Sequence, residues 1–111
     1  MAKLPNIEQA VIDERKITAY LLDRSHRFGG PKARFFESFG FTVDRWIWLR
    51  DALLAHARVN DITSSYRGRH GQVYEVVGAL PTPDGRNPTV LVVWMIRHGE
   101  DQPRLVTAMP S

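Results

Sequence analysis

Between residues 24 and 34 the chain carries Arg24, His26, Arg27, Lys32 and Arg34 and no acidic side chain. An imidazole, an ammonium and several guanidinium groups in one short stretch are the residue types that metal-independent RNA cleavage uses. That reaction needs a group to take the proton of the ribose 2′-OH, a group to protonate the departing 5′-oxygen, and cations or N–H donors for the charge that develops on the phosphorane. Lys32 and Arg34 suit the phosphate and His26 suits proton transfer, while free backbone N–H groups at a helix start behind Gly29, Gly30 and Pro31 also favour an anion. A solvated basic face held by charge pairing has the same composition, so the segment reads either way.

Four further groups of residues bear on the same chemistry. His56 follows Leu49 and Leu53 at helical spacing, so its imidazole projects from the helix face that meets the rest of the protein. It is either a core histidine bonded to backbone or a neutral base whose burial lowers its charged fraction. Arg104 and Thr107 lie three residues apart in the last strand, on opposite faces unless a bulge intervenes; Arg104 is the better phosphate ligand. Tyr66 stands beside a basic loop of Arg67, Arg69 and His70, and with Trp94 and Tyr74 forms a set of strand aromatics that either pack in the core or stack on RNA bases. Arg86, after the Asp84-Gly85 turn, is a hairpin-tip cation that touches nucleic acid or nothing.

The elements that must position these groups follow from periodicity. Asp13 serves as N-cap of a short helix bearing Ile17, Tyr20 and Leu21, and Ala10 to Ile12 before it leaves room for an edge strand. Pro31 opens a second helix that carries Ala33, Phe35, Phe36 and Phe39 and stops at Gly40. Thr42 to Ala57 is the longest helix, with Trp46, Leu49, Leu53 and Ala57 on one stripe. After Arg58 the period changes to two. The segments 61–66 and 72–80 read as a hairpin around residues 67–71, residues 82–85 form a turn, 89–97 is a central strand apolar on both faces, and Arg104 to Met109 closes the series. The expected fold is α+β, with three N-terminal helices packed on one face of a four-stranded antiparallel meander and the other face free.

Length and composition restrict the alternatives. A chain of 111 residues, 43% hydrophobic and 24% charged, suits one domain over residues 1–111 and is too short for a second cofactor-binding lobe. Without cysteine there is no disulfide, thiol nucleophile or cysteine zinc site, which fits a reducing compartment. No membrane-spanning run and no signal-peptide-like stretch stand out, so a cytoplasmic location is expected. Fifteen Lys and Arg against twelve Asp and Glu give +3, and residues 1–60 hold ten bases and seven acids against five and five in the remainder. That excess favours an anionic partner. No His-plus-carboxylate metal motif, phosphate loop, dinucleotide fingerprint or serine-hydrolase elbow is present, so neither a metal nor another cofactor is expected.

The order His26-x-x-Gly29-x-x-Lys32-Ala33-Arg34-Phe35-Phe36, then Phe39-Gly40-Phe41, Leu53 to Ala57, Tyr74-x-Val76-x-Gly78-x-Leu80, Pro83 to Arg86, Val93-Trp94-x-Ile96 and Pro103 to Pro110 resembles a bacterial family of unknown function. Members of that family are small stand-alone proteins or C-terminal domains of polymorphic toxins and adhesins, and the resemblance runs from about Leu4 to Pro110. A looser, architectural likeness is to the barnase, colicin and RelE-like ribonuclease toxins. Since no Glu–His pair sits on neighbouring strands, no catalytic residue carries over from barnase. The expectation is a ribonuclease-like toxin domain that cleaves RNA by 2′-OH attack. Lys32, Arg34 and Arg104 would hold phosphate, His26 or His56 would move protons, and Arg24, Arg27, Tyr66, Arg67, Arg69, Arg86 and Thr107 would contribute to RNA binding. Its expected partners are RNA and a small acidic antitoxin or immunity protein. The rival expectation is a non-enzymatic module that binds protein or nucleic acid through the same surfaces. Convergence of His26, Lys32 and His56 around one cleft would favour catalysis, whereas their scatter, with the largest exposed apolar patch on a sheet edge, would favour a partner interface.

Overall fold

The structure, a computed structural model, describes residues 2–111. Asp13 caps the first helix by accepting a 2.9 Å bond from the Arg15 N–H. Helix α1 (Glu14–Lys16) widens at once into a π turn over Ile17–Leu21, closed by a 2.8 Å bond from the Leu22 N–H to the Ile17 carbonyl. The turn sinks Ile17 and Leu21 completely into the core and leaves Tyr20 half-buried at its edge. Helix α2 (Gly30–Ser38) starts on Pro31, buries Ala33 and Phe36, and ends before Gly40, whose φ of 101° is the left-handed conformation a glycine takes without strain.

Residues Val43–Arg45 form a 3-10 turn where the sequence suggested the start of the longest helix, and α3 (Trp46–Val59) follows. Its buried stripe is Leu49, Ala52, Leu53, His56 and Ala57. A 3-10 turn at Ile7–Gln9 precedes the helices, and after them come β1 (Ile62–Arg67), β2 (Gly71–Ala79), β3 (Thr89–Arg97) and β4 (Arg104–Pro110), an antiparallel sheet in the order β1-β2-β3-β4. The fold is thus α+β, with its helices before its strands. The place for an N-terminal edge strand is taken by a single bridge. Val11 runs parallel to the start of β4, donating to the Pro103 carbonyl at 2.9 Å and accepting from the Leu105 N–H at 3.3 Å.

Alternation along β3 separates the two faces of the sheet. Val90, Val92 and Trp94 are fully buried with Leu49, Leu53 and Phe36 of the helices, so this is the covered face. Tyr74 pairs with Trp94 and packs against the same core, which assigns both aromatics to packing. The other face carries Val73 and Glu75 of β2 and Met95 and Arg97 of β3. Between β3 and β4 the register slips: Met95 pairs with Arg104 and Trp94 with Leu105, but Val93 pairs with Thr107, leaving Val106 as the extra residue of a bulge. In a regular strand Arg104 and Thr107 would be separated by the sheet. The bulge brings them to one side, the uncovered one.

Candidate functional site

An open cleft of about 820 Å³ lies where the first helical segment meets the rim of β3 and β4. Arg15, Lys16 and Tyr20 form one wall, Met95, Arg97, Arg104 and Thr107 the other, and His26 closes the end. The acid of this lining, Asp13, has its carboxylate engaged in capping α1. Arg104 Nε lies 3.1 Å from Glu100 Oε1, whereas Arg15 and Arg97 make no ion pair among the described residues. Cations stand on both walls, and those without an ion pair leave the cleft with a positive field that would favour an anionic ligand.

Tyr20 stands at the centre of this arrangement. Its hydroxyl is 2.9 Å from Thr107 Oγ1, tying the π turn to the bulged strand. The Lys16 and Lys32 ammonium groups lie 5.5 and 5.6 Å from its ring centre, and the His26 ring stands edge-on to it at 5.0 Å. Each such cation–ring contact is worth about 0.5–1 kcal/mol at an exposed site, enough to hold a lysine near the ring without locking it. Gly29 makes the approach possible: a Cβ there would stand 2.1 Å from the Tyr20 carbonyl oxygen.

The His26 imidazole is fixed by its own loop. Its Nδ1 accepts hydrogen bonds from the backbone N–H groups of Phe28 at 3.0 Å and Gly29 at 2.9 Å. Because a backbone N–H can only donate, Nδ1 carries no proton and the neutral ring holds its hydrogen on Nε2. The loop is stiffened further by Asp23, whose carboxyl is held below the usual carboxylate range, chiefly by hydrogen bonds from the Ser25 hydroxyl and N–H. Of the acid and base roles that its residue type left open, His26 thus offers the cleft the donor's, through Nε2.

His56 lies elsewhere. It is 0% exposed between α3 and the covered face, with Nε2 at 3.1 Å from the Gly78 carbonyl and 3.0 Å from that of Val90. Nε2 donates to both, and Nδ1 has no partner. Burial pushes its pKa below the ordinary value, against the opposing pull of the two carbonyls. The proton-moving role expected of it is therefore withdrawn: no ligand reaches it, and it does not line the cleft. The convergence expected of the three residues is thus partial: His26 and Lys32 meet at Tyr20 and His56 does not, which weighs toward binding without His56 chemistry.

The remaining candidates divide in the same way. Arg24 is bound to Glu37 at 2.8 Å, and Arg86 bonds Asp84 at 2.6 Å and stacks on the Phe39 ring at 4.3 Å. Both act as staples, one between the His26 loop and α2, the other between the β2–β3 turn and the end of α2, so neither lines the cleft. Arg27 lies over its neighbour Phe28 at 5.4 Å and Arg34 is exposed on α2. Tyr66, Arg67 and Arg69 are exposed around the β1–β2 turn. Sequence reasoning missed Arg15, Lys16, Tyr20 and Arg97 as site residues. Arg15 and Lys16 end a helix that begins with Glu14, and Arg97 ends an apolar strand, so none belongs to a basic run. The signal that could have found them is a cation at the end of each element bordering β4.

This fold is similar to that of a chain in a contact-dependent growth inhibition toxin–immunity protein complex from Klebsiella pneumoniae 342. The two superpose with a TM-score of 0.70 over 92% of this chain and 100% of that one, at 14% sequence identity. Among curated proteins none matches. With a match that runs over residues 3–111, the chain belongs to the family described as a domain of unknown function, DUF6883.

Proposed function

We propose that this protein is a ribonuclease-like toxin domain that binds RNA in the Tyr20 cleft and cleaves it without a metal ion. The observation that carries the reading is the convergence of Arg15, Lys16, Arg97, Arg104 and the His26 Nε2–H around the bonded Tyr20 and Thr107 hydroxyls. In the reaction the ribose 2′-oxygen attacks phosphorus and the bond to the 5′-oxygen breaks, giving a 2′,3′-cyclic phosphate and a 5′-hydroxyl. Preorganised cations and donors stabilise the charge that builds on the phosphorane oxygens, which is the largest single contribution such a site can make. Arg15, Lys16, Arg97 and Arg104 take the phosphate, with His26 donating through Nε2. The 2′-OH proton passes to the 5′-oxygen through the Tyr20–Thr107 hydroxyl pair, each oxygen accepting one proton as it gives up its own, with the Lys32 ammonium beside the ring. The toxin–immunity complex among structures of this fold supports a partner protein, and charge complementarity to the cationic cleft makes an acidic one the expected binder.

The test is purified protein with tRNA in EDTA. Fragments ending in cyclic phosphate are expected, with activity falling about a hundredfold in Lys16→Ala or Arg104→Ala, the loss typical of one oxyanion donor. Intact RNA at protein excess overturns the proposal. A second reading, a binding module without catalysis, is favoured by the His26 ring itself, because two backbone donors already occupy the Nδ1 lone pair that a general base would use. RNA retained in the cleft and recovered whole would establish that reading.

A further inference from the structure

The cleft does not end at Arg97. A second hollow of about 470 Å³ adjoins it, sharing Met95 and Arg97 and bounded beyond them by His70, His98 and Glu100. Two hairpin tips meet here. The His98 N–H donates to the His70 carbonyl at 3.0 Å, and Gly71 faces Arg97 across the ladder. Gly71 allows the tips to abut, since a Cβ there would stand 2.1 Å from the Ile96 carbonyl oxygen. Arg67 at the end of β1 and Arg69 on the turn precede His70 and are exposed.

The register extends this track across the uncovered face. Tyr66 pairs with Val73, Val73 with Met95, and Met95 with Arg104, so one transverse row runs from an aromatic on β1 to a cation on β4. Three interstrand steps span roughly 14 Å. Tyr66 is 49% exposed, and its ring stands at the far end of the row from the cationic cleft. Cations for phosphates, an apolar floor and an exposed ring for an unpaired base are what a single strand of nucleotides requires. Glu100 is the opposing charge, and it is turned to Arg104 at 3.1 Å.

We infer that the hollow between Arg97, His70 and His98 is a second phosphate subsite, and that the ligand is single-stranded RNA of several nucleotides whose neighbouring base stacks on Tyr66. The inference rests on the reading of the first cleft as an RNA site. It makes the uncovered sheet face a track and the Tyr20 cleft its reacting end.

Binding of 2′-O-methyl RNA, which cannot react, tests it. A dinucleotide with one phosphate fills the first cleft alone, and a hexanucleotide reaches both. The wild-type protein in EDTA should bind the hexanucleotide at least about tenfold more tightly, the increment expected of about one further charge-assisted hydrogen bond. The triple variant Tyr66→Ala, His70→Ala, His98→Ala, altered only at exposed hairpin positions, should lose that advantage and keep the dinucleotide affinity. Its salt dependence for the hexanucleotide should flatten by about 0.7 in log–log slope for each phosphate that is no longer held, and an unchanged melting temperature would show that the fold is intact. Equal affinity for the two oligonucleotides, or an advantage that survives in the triple variant, overturns the second subsite alone. Failure to bind either one overturns the reading of the first cleft as well.

Discussion

The chain sets the same side chain in two opposite environments. At His26 the ring lies on a loop at the end of a cleft, with Nδ1 occupied by two backbone donors and Nε2 carrying the hydrogen. At His56 the ring lies under the sheet, with Nε2 occupied by two backbone carbonyls and Nδ1 facing nothing. Both rings are held by backbone. They differ in what the arrangement leaves free: a donor open to a ligand in the first case, a buried acceptor in the second. A histidine on an apolar helical stripe and one in a basic loop therefore require different readings even when both are fixed, because access decides which can meet a substrate.

Deletion of each ring separates the two roles most sharply. His56→Ala leaves a cavity between α3 and the sheet and strips the donor from two carbonyls, so a loss of about 3 kcal/mol is expected. In a domain of this size that lowers the melting temperature by about 10–20 °C. His26→Ala removes a half-buried ring and frees two loop N–H groups, one of them on the buried Gly29, and should cost about 1–2 kcal/mol of stability. Its effect should fall on RNA affinity, reduced about tenfold by loss of the Nε2 donor. Paired thermal melts and RNA titrations check both. A His56 variant that melts like wild type, or a His26 variant that binds RNA normally, breaks the comparison.

A gentler perturbation is pH. The unfolded His56 titrates near the ordinary value of 6.5 and the folded one below it. The unfolded chain thus binds the proton first as pH falls, and the stability His56 contributes is fully present above about 6.5 and lost as pH drops toward the folded pKa. Denaturant midpoints should accordingly decline between pH 7.5 and 5.5. The variant His56→Gln, whose amide keeps a donor but does not titrate, should show a shallower decline over that interval. An unchanged slope would mean that the buried ring is not the group being protonated.

Much of the scaffold was legible because it is written in local signals. The Asp13 cap, the glycine stop at Gly40, the 82–85 turn and the switch of period after Arg58 all reappear in the structure, since each depends on a few adjacent residues. The site was less legible for two physical reasons. Its cations come from the end of α1, the end of β3 and the start of β4, and only folding brings them together. Its two hydroxyls meet through backbone irregularities: the π turn that carries Tyr20 and the bulge at Val106 that returns Thr107 to the side of Arg104. A spacing of three in a strand gives no hint of which residue will be extruded. The run from Arg24 to Arg34 stands out because it is contiguous, yet Arg24 is neutralised by Glu37, while His26 and Lys32 reach the Tyr20 ring.

The finest contrast between the two regions concerns single carboxylates. Glu100 holds Arg104 on the cleft wall, and Asp51 holds Arg50 at 3.0 Å on α3, the helix that carries His56. Both pairs are partly exposed, so each contributes no more than about 1 kcal/mol to stability and is weakened by salt. Glu100→Gln and Asp51→Asn make the same change in net charge and should leave the melting temperature nearly unaltered. Only the first releases a guanidinium into the path of the phosphate and removes a repelling charge from it. RNA affinity should rise a few-fold, on the order of 0.5–1 kcal/mol, in Glu100→Gln at low salt and stay level in Asp51→Asn. The gain should fade as ionic strength rises. Equal gains in both variants would trace RNA binding to net charge alone, whereas a gain confined to Glu100→Gln locates it at the wall that Arg104 shares with Thr107.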